Sequence, residues 1–519
     1  MKKVISILLG LVFILPNVVA KSNNKIDIPR SFAEDKKGYM SEAYWSHWNA
    51  EEQAQIDADI EKYRKADGEL VLENIGRNRK VKIEQVSHEF YFGAHIFNFN
   101  QLGKPEYNER YKRSYGELFN SATVPFYWRH FEWKRGETRF DTANIDTEEW
   151  WNKCEKPTSQ FHWRRPSTDQ IVEFCESKGI RMHGHVLVWG SRGNSIPRWW
   201  SELMTPEEFE NWKRLFPGQK PARLKSKEKG SDEWKNMSIE EAAKAFPHYP
   251  QALGEAFENR IKQIAEHYKD RIDSWDVVNE SADDNKPGRL VENAPIAKSR
   301  YGIMPGDYPY KALKWAEKYF PSEVKLNIND YRRSPSYTAQ VNRLLERGCK
   351  IDVMGIQMHL FKLDYGTKIA NGEKIQTPAQ VRKYIGWASE TGLPLHISEI
   401  TITPPTQDEK GLMIQAIIAQ QLYRLWFSQE KMMGITWWNT VDGCGRRGEP
   451  AVSGIFTRDM QEKPVYWALD ELINHEWKTN TTVKADENGK VQFRGFKGKY
   501  RITYKNDEGK TESVEYILK

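Results

Sequence analysis

The chain has 519 residues, with 78 Lys and Arg against 72 Asp and Glu, and a net charge of +6. So small an excess, with no basic run interleaved with aromatics, excludes a nucleic-acid binder. Four cysteines without a CxxC spacing exclude a disulfide scaffold and a cysteine-held metal, and the length holds one large α/β unit plus something smaller.

Met1-Lys2-Lys3 and the apolar run from Val4 to Val19 and Ala20 read as a secretory signal peptide over residues 1–20, with a basic start, an apolar core and a small residue at the cut. The run is short for a bilayer span, and no other stretch is long and apolar enough for one. The expected product is secreted or periplasmic, in an oxidising compartment. There Cys349 reads as a buried free thiol, and a Cys154–Cys175 bridge is an open alternative.

Residues 21–88 read as an N-terminal extension. Ser22 to Gly38 is polar and reads as loosely ordered, and Glu51 to Ala66 as a surface helix. Glu69–Glu73 and Lys80–Glu84 alternate at period two, which predicts an antiparallel hairpin with one wet face.

Short apolar runs then alternate with helical stretches such as Leu253–Tyr268 and Tyr310–Phe320. The predicted strands are Glu89–Ala94, Ala122–Trp128, Arg181–Trp189, Arg271–Glu280, Val324–Asp330, Asp352–His359, Leu395–Glu399 and Met433–Asn439. This pattern predicts a (β/α)8 TIM barrel over 89–477. Two connections exceed what a barrel needs. Asp141 to Pro166 carries Trp150, Trp151, Trp163, Arg164 and Arg165, and reads as an active-site loop. Ser201 to Tyr249 is charged, and its Gly218–Lys235 stretch reads as a solvated excursion. From Lys478 to Lys519 four alternating strands with Gly-containing turns form a β module too small to stand alone. It is expected to pack with the N-terminal strands as one unit built from both ends of the chain.

Two strands end in a carboxylate: Ser274-Trp275-Asp276-Val277-Val278-Asn279-Glu280 and Leu393-Pro394-Leu395-His396-Ile397-Ser398-Glu399. A single strand-end Glu is more simply a helix cap or an ion-paired loop residue. Two of them, roughly three βα units apart in one barrel, lie where barrel enzymes place their chemistry. Paired carboxylates there suit glycoside hydrolysis, one as acid/base and one as nucleophile. The 20 Trp and 23 Tyr fit this, since aromatic faces stack on sugar rings, although many must be core.

Trp275–Glu280, His183-Gly184-His185-Val186-Leu187-Val188-Trp189, Gly355-Ile356-Gln357-Met358-His359 and Ser398-Glu399 resemble the motifs of family-10 glycoside hydrolases, mostly retaining endo-β-1,4-xylanases. The resemblance runs from Phe92 to Ile473. It implies Glu280 as acid/base and Glu399 as nucleophile, Asn279 on the sugar 2-hydroxyl, Gln357 beside the acid/base, His359 on the nucleophile and His185 on the reactive sugar. Trp189 belongs to the same motif, and Trp437 and Trp438 match the family's stacking floor. The expected substrate is β-1,4-xylan or decorated xylan, with another β-linked or acidic glycan as the alternative and a glycan-binding barrel without catalysis as the other. The implied partner is a polysaccharide, with no nucleic acid, no membrane span, no cofactor and no metal, and the protein is expected to be a monomer.

On the second strand the chain departs from the family. Pro125 and Phe126 fall where the family has Glu and Asn, and Arg129 and His130 fall on its Lys and Trp. Only the positive charge survives, and Trp128 is an aromatic one step away. Catalysis is expected to survive with a rebuilt substrate grip. Arg164, Arg165, Arg446 and Arg447 are candidates to read an acidic decoration, against the plainer reading of surface loop charge.

Overall fold

The structure, a computed structural model, describes residues 26–141, 147–154, 166–191, 193–219, 230–445 and 449–519. The expected signal peptide and Trp163, Arg164, Arg165, Arg446 and Arg447 lie outside the described residues.

Eight parallel strands close a barrel: β1 (Tyr91–His95), β2 (Ser121–Pro125), β3 (Arg181–Val188), β4 (Ser274–Asn279), β5 (Lys325–Asp330), β6 (Val353–Gln357), β7 (Leu395–Ile400) and β8 (Met432–Trp437), with β8 pairing back to β1. The period of two sorts their side chains. On β4, Trp275 packs outward against Tyr268 and Phe320, in the layer shared with the helices. Its neighbours Ser274 and Asp276 instead meet His183 and His185 of β3. Gly184 lies between those histidines, where an added Cβ would stand 2.2 Å from the Trp275 ring. Only glycine lets β3 and that indole pack side by side.

Trp128 departs from expectation. It starts the short helix Trp128–Phe131 rather than extending β2. Its indole is fully buried, donates to Glu132 at 2.7 Å and packs on Trp199 and Phe257. Of the expected excursion Gly218–Lys235, residues 220–229 lie outside the described residues, and its end is helical. The described residues of the longer connection form helices Pro206–Leu215, Asp232–Asn236 and Ile239–Ala245, and Trp212 and Trp234 are buried. Capping boxes at Thr205/Glu208 and Ser238/Glu241 start two of these helices.

The two N-terminal strands do not form a hairpin. Lys65–Val71 pairs with Lys490–Phe496, and Lys80–His88 pairs with both Asn480–Lys484 and Gly498–Lys505. Gly498–Lys505 pairs in turn with Thr511–Leu518. Non-local partners compete for the ladder because Val81, Ile83, Val491, Phe493 and Ile502 then share one apolar core. The predicted surface helix is Ala50–Arg64, and it docks on the barrel. Ile56 and Ile60 are buried, and Gln53 donates to Gln421 at 2.7 Å. The segment before it is held too: Asp35 accepts from the Tyr39 and Met40 backbone amides at 2.9 and 2.8 Å and from the Trp45 indole at 3.1 Å. All four cysteines are free thiols, Cys175 and Cys349 buried, so Cys154 and Cys175 are not bridged.

Candidate active site

At the C-terminal mouth of the barrel a cavity of about 110 Å³ is lined by residues from every side, among them His185, Trp189, Asn279, Glu280, Gln357, His359, Glu399 and Trp438. Glu280 follows β4 and Glu399 lies in β7. Glu280 takes a left-handed backbone conformation, φ 55°, which few non-glycine residues adopt. Its amide donates to the Asn329 carbonyl at 2.8 Å, so the neighbouring strand holds it there.

A chain of amides ties the two carboxyls together. Asn329 Nδ2 donates to Glu399 Oε1 at 2.8 Å and to Asn279 Oδ1 at 3.0 Å. Gln357 Nε2 donates to the same Asn279 oxygen at 3.2 Å and to Glu280 Oε1 at 3.5 Å. Ser398 Oγ completes the chain by donating to Asn329 Oδ1 at 2.5 Å. Asn279 Oδ1 is thereby occupied, and the Asn279 Nδ2 donors remain for a sugar hydroxyl. The Tyr301 hydroxyl donates to Glu280 Oε2, so both oxygens of Glu280 are oriented. Networks this fully satisfied fix rotamers in a low-dielectric interior.

Glu399 Oε2 lies 3.0 Å from His359 Nε2, and His359 Nδ1 lies 3.1 Å from the Thr401 hydroxyl. Burial pushes the Glu399 carboxyl up to about 8. The charges of Glu280 and Asp276 add to this, while His185 and the Asn329 amide oppose it. Burial also lowers the His359 imidazole to about 4. On the barrel wall Asp276 Oδ2 lies 2.8 Å from His185 Nδ1 and 3.0 Å from His183 Nε2. Burial opposes the charge on Asp276, but the two imidazoles outweigh it and hold the carboxyl well below its ordinary range. His185 is thus a fixed wall of the cavity, and Trp438 lies edge-on to it at 5.4 Å.

The structure separates the sequence-predicted residues. Asn279, Glu280, His185, Trp189, Gln357, His359, Glu399 and Trp438 meet at the cavity. Trp437 does not: its side chain is fully buried and faces Tyr423 of helix Glu409–Ser428, because consecutive strand residues point to opposite faces. Trp128 is the core residue described above, and Arg129 is buried without lining the cavity. Phe126, at a position where the family has a polar residue, packs on Trp275 inside the wall. Tyr127 and His130 reach the cavity instead. Sequence reasoning missed them, and also His95, Phe97, Tyr301, Asn329, Phe361 and Glu449. Asn329 had a signal, an amide near the polar end of the strand Lys325–Asp330. Tyr301 had none, since it lies in the excursion after β4. Among the described residues no group of His, Cys, Asp and Glu is arranged to hold a metal ion.

The model of glycosyl hydrolase family 10 matches residues 107–217 and 219–472, more than half of the chain. The chain belongs to that family. It is a glycoside hydrolase. Among curated relatives it is 29% identical over 336 residues to endo-1,4-beta-xylanase A of Halalkalibacterium halodurans, covering 59% of this chain and 72% of that one. It is also 24% identical over 395 residues to the anti-sigma-I factor RsgI6 of Acetivibrio thermocellus, covering 74% of this chain and 39% of that protein's length. A solved structure, xylanase B from Clostridium stercorarium F9, aligns over 73% of this chain and 96% of its own, at 21% identity and a TM-score of 0.48. This family 10 chain therefore has relatives under more than one name, and its site has to carry the assignment of activity.

Proposed function

We propose that this protein is a retaining, endo-acting glycoside hydrolase that cleaves β-1,4-xylan or a decorated xylan by double displacement. The observation that carries this is the pair of strand-end carboxyls, Glu280 and Glu399, joined through Gln357, Asn279 and Asn329 in one cavity. A barrel that only bound glycan would have no use for two carboxyls held so.

In the reading proposed, a sugar ring sits between His185, Asn279 and Trp438. In its ionised form Glu399, held by Asn329 and His359, attacks the anomeric carbon. Glu280 gives its proton to the departing oxygen, then takes one from the water that releases the glycosyl-enzyme. The Asn279 amide meets the 2-hydroxyl, a contact that tightens as positive charge grows on the ring. We further propose that the protein is exported and acts as a monomer.

Release of reducing ends from a panel of β-linked polysaccharides tests the reaction, and proton NMR of the first product tests its course. Retention requires β product first. Initial α product overturns the double displacement, and no hydrolysis of any β-1,4-linked xylan overturns the substrate.

A further inference from the structure

A second cavity, of about 550 Å³, opens from the first past Glu280. It shares Trp189, Asn194, Glu280, Gln357, His359 and Phe361 with the catalytic cavity but is not lined by Glu399, Asn279 or Trp438. The acid/base is thus a common wall and the nucleophile is absent, which defines the leaving-group side of the scissile bond. Three arginines, Arg300, Arg332 and Arg333, line it.

Their pairing is uneven. Arg300 and Arg332 both bind Asp283, at 2.5 Å each, and Lys286 approaches the same carboxylate at 3.7 Å. Tyr331 also donates to it. Asp283 is saturated. Among the described residues no carboxylate pairs with Arg333, whose guanidinium rests over the Tyr384 ring at 5.6 Å. Burial already disfavours its charge. A desolvated guanidinium without an anion is costly unless a ligand supplies one. The catalytic cavity, by contrast, is lined by no described Lys or Arg, and it carries Glu449 on its wall. Asp330 fixes the loop that carries the arginines by accepting from the Arg332 amide at 2.8 Å, and it ties this loop to the residues after Glu280 through the Ala282 amide at 2.8 Å.

We infer that the leaving-group side of this cleft binds a sugar bearing a carboxylate, a uronic acid branch, with Arg333 as its anchor. This rests on the glycosidase reading above and assigns its substrate class. The planar fork of arginine matches a carboxylate with two parallel hydrogen bonds, and the charge asymmetry turns the branch away from the sugar under attack.

The test is calorimetric titration of the full chain with xylose carrying one glucuronic acid, a product-like ligand that is not cleaved. Neutral xylobiose and a sulfated xylose are the comparisons. The acidic sugar is expected to bind at least tenfold tighter than xylobiose, and to lose most of that advantage in 0.5 M salt and in Arg333→Met, with partial recovery in Arg333→Lys. Equal affinity of acidic and neutral sugars overturns the inference, as does preference for the sulfate or an Arg333→Met protein with the advantage intact. If the acidic sugar binds as described but no xylan is cleaved, the inference stands and the reaction proposed above falls. If plain xylan is cleaved and the acidic sugar has no advantage, this inference alone falls.

Discussion

Glu399 stabilises the folded chain only while it is protonated, and this makes Glu399→Gln an informative change. Burial raises its carboxyl from an ordinary 4.5 to about 8. A group raised in the folded state contributes stability that is fully present below its unfolded value and lost as pH rises through its folded value. The wild type is therefore expected to lose stability between pH 4.5 and pH 8. At 1.36 kcal/mol per pH unit, that interval corresponds to about 5 kcal/mol as an upper limit, and water admitted to the open cavity lowers it. Glutamine keeps the shape, accepts from Asn329 and donates to His359, and never ionises. Urea unfolding followed by tryptophan fluorescence at pH 5 and pH 8.5 should show the two proteins nearly equal at the lower pH. At the higher pH the variant should be more stable by about 2–5 kcal/mol. Stability curves of wild type and Glu399→Gln that run parallel from pH 5 to pH 8.5 would refute the burial argument. Asp330, raised to about 7 by its own burial, titrates in both proteins and cancels in the comparison.

Other outcomes follow from the same geometry. Glu280→Ala should still cleave aryl glycosides with good leaving groups in the first step, which need no protonation, and azide should restore the second step to give a β-glycosyl azide. A variant that azide cannot restore would remove the acid/base role. Gly184→Ala would drive a methyl into the buried Trp275 ring and should cost about 1–3 kcal/mol by overpacking; an unchanged urea midpoint would show that β3 can shift. Truncation before Lys478 leaves Lys65–Val71 and Lys80–His88 without ladder partners and bares Val81 and Ile83. The shortened chain should unfold at lower temperature, through lost burial at about 25 cal/mol per Å², and the excised segment should show no cooperative melt.

The barrel was legible because its strands are short apolar runs with helices between them, and each was placed to within a few residues. That Glu280 and Glu399 meet at one cavity was legible for a related reason: a carboxylate at the end of an apolar strand has few reasons to be there. What failed to show was anything decided by partners far away in sequence. Glu69–Glu73 and Lys80–Glu84 are close in the chain and alternate alike, yet each prefers a strand some 400 residues later. A local pattern specifies that a face must be buried, not against what. Trp437 and Trp438 differ only by one step along a strand, which sends one to the core and one to the cavity. Tyr301 reaches Glu280 from a connection with no periodicity to read.

The departures on β2 gain a meaning from the same placement. Where relatives in family 10 hold polar side chains, Phe126 is packed inside the wall, so this strand contributes no polar grip there. Tyr127, from the end of β2, lies edge-on to His185 at 5.4 Å and to Phe97 at 5.7 Å. Tyr127, Phe97 and Trp438 thus add ring faces and edges beside the polar groups of the catalytic cavity, Asn279, His130 and Glu449 among them. The aromatic contacts order a ring without reading its hydroxyls. On the other side of Glu280 the second cavity is lined by Arg300, Arg332 and Arg333, and in the inference above Arg333 is the one that reads the sugar. In the double displacement proposed, discrimination there acts on the leaving group, whose binding positions the departing oxygen against the acid. A group anchored on that side affects the step in which Glu280 gives up its proton, and it has left before water arrives for the second. Changes at Arg333 should therefore weigh on formation of the glycosyl-enzyme and leave its hydrolysis to Glu280, Glu399 and the amides between them.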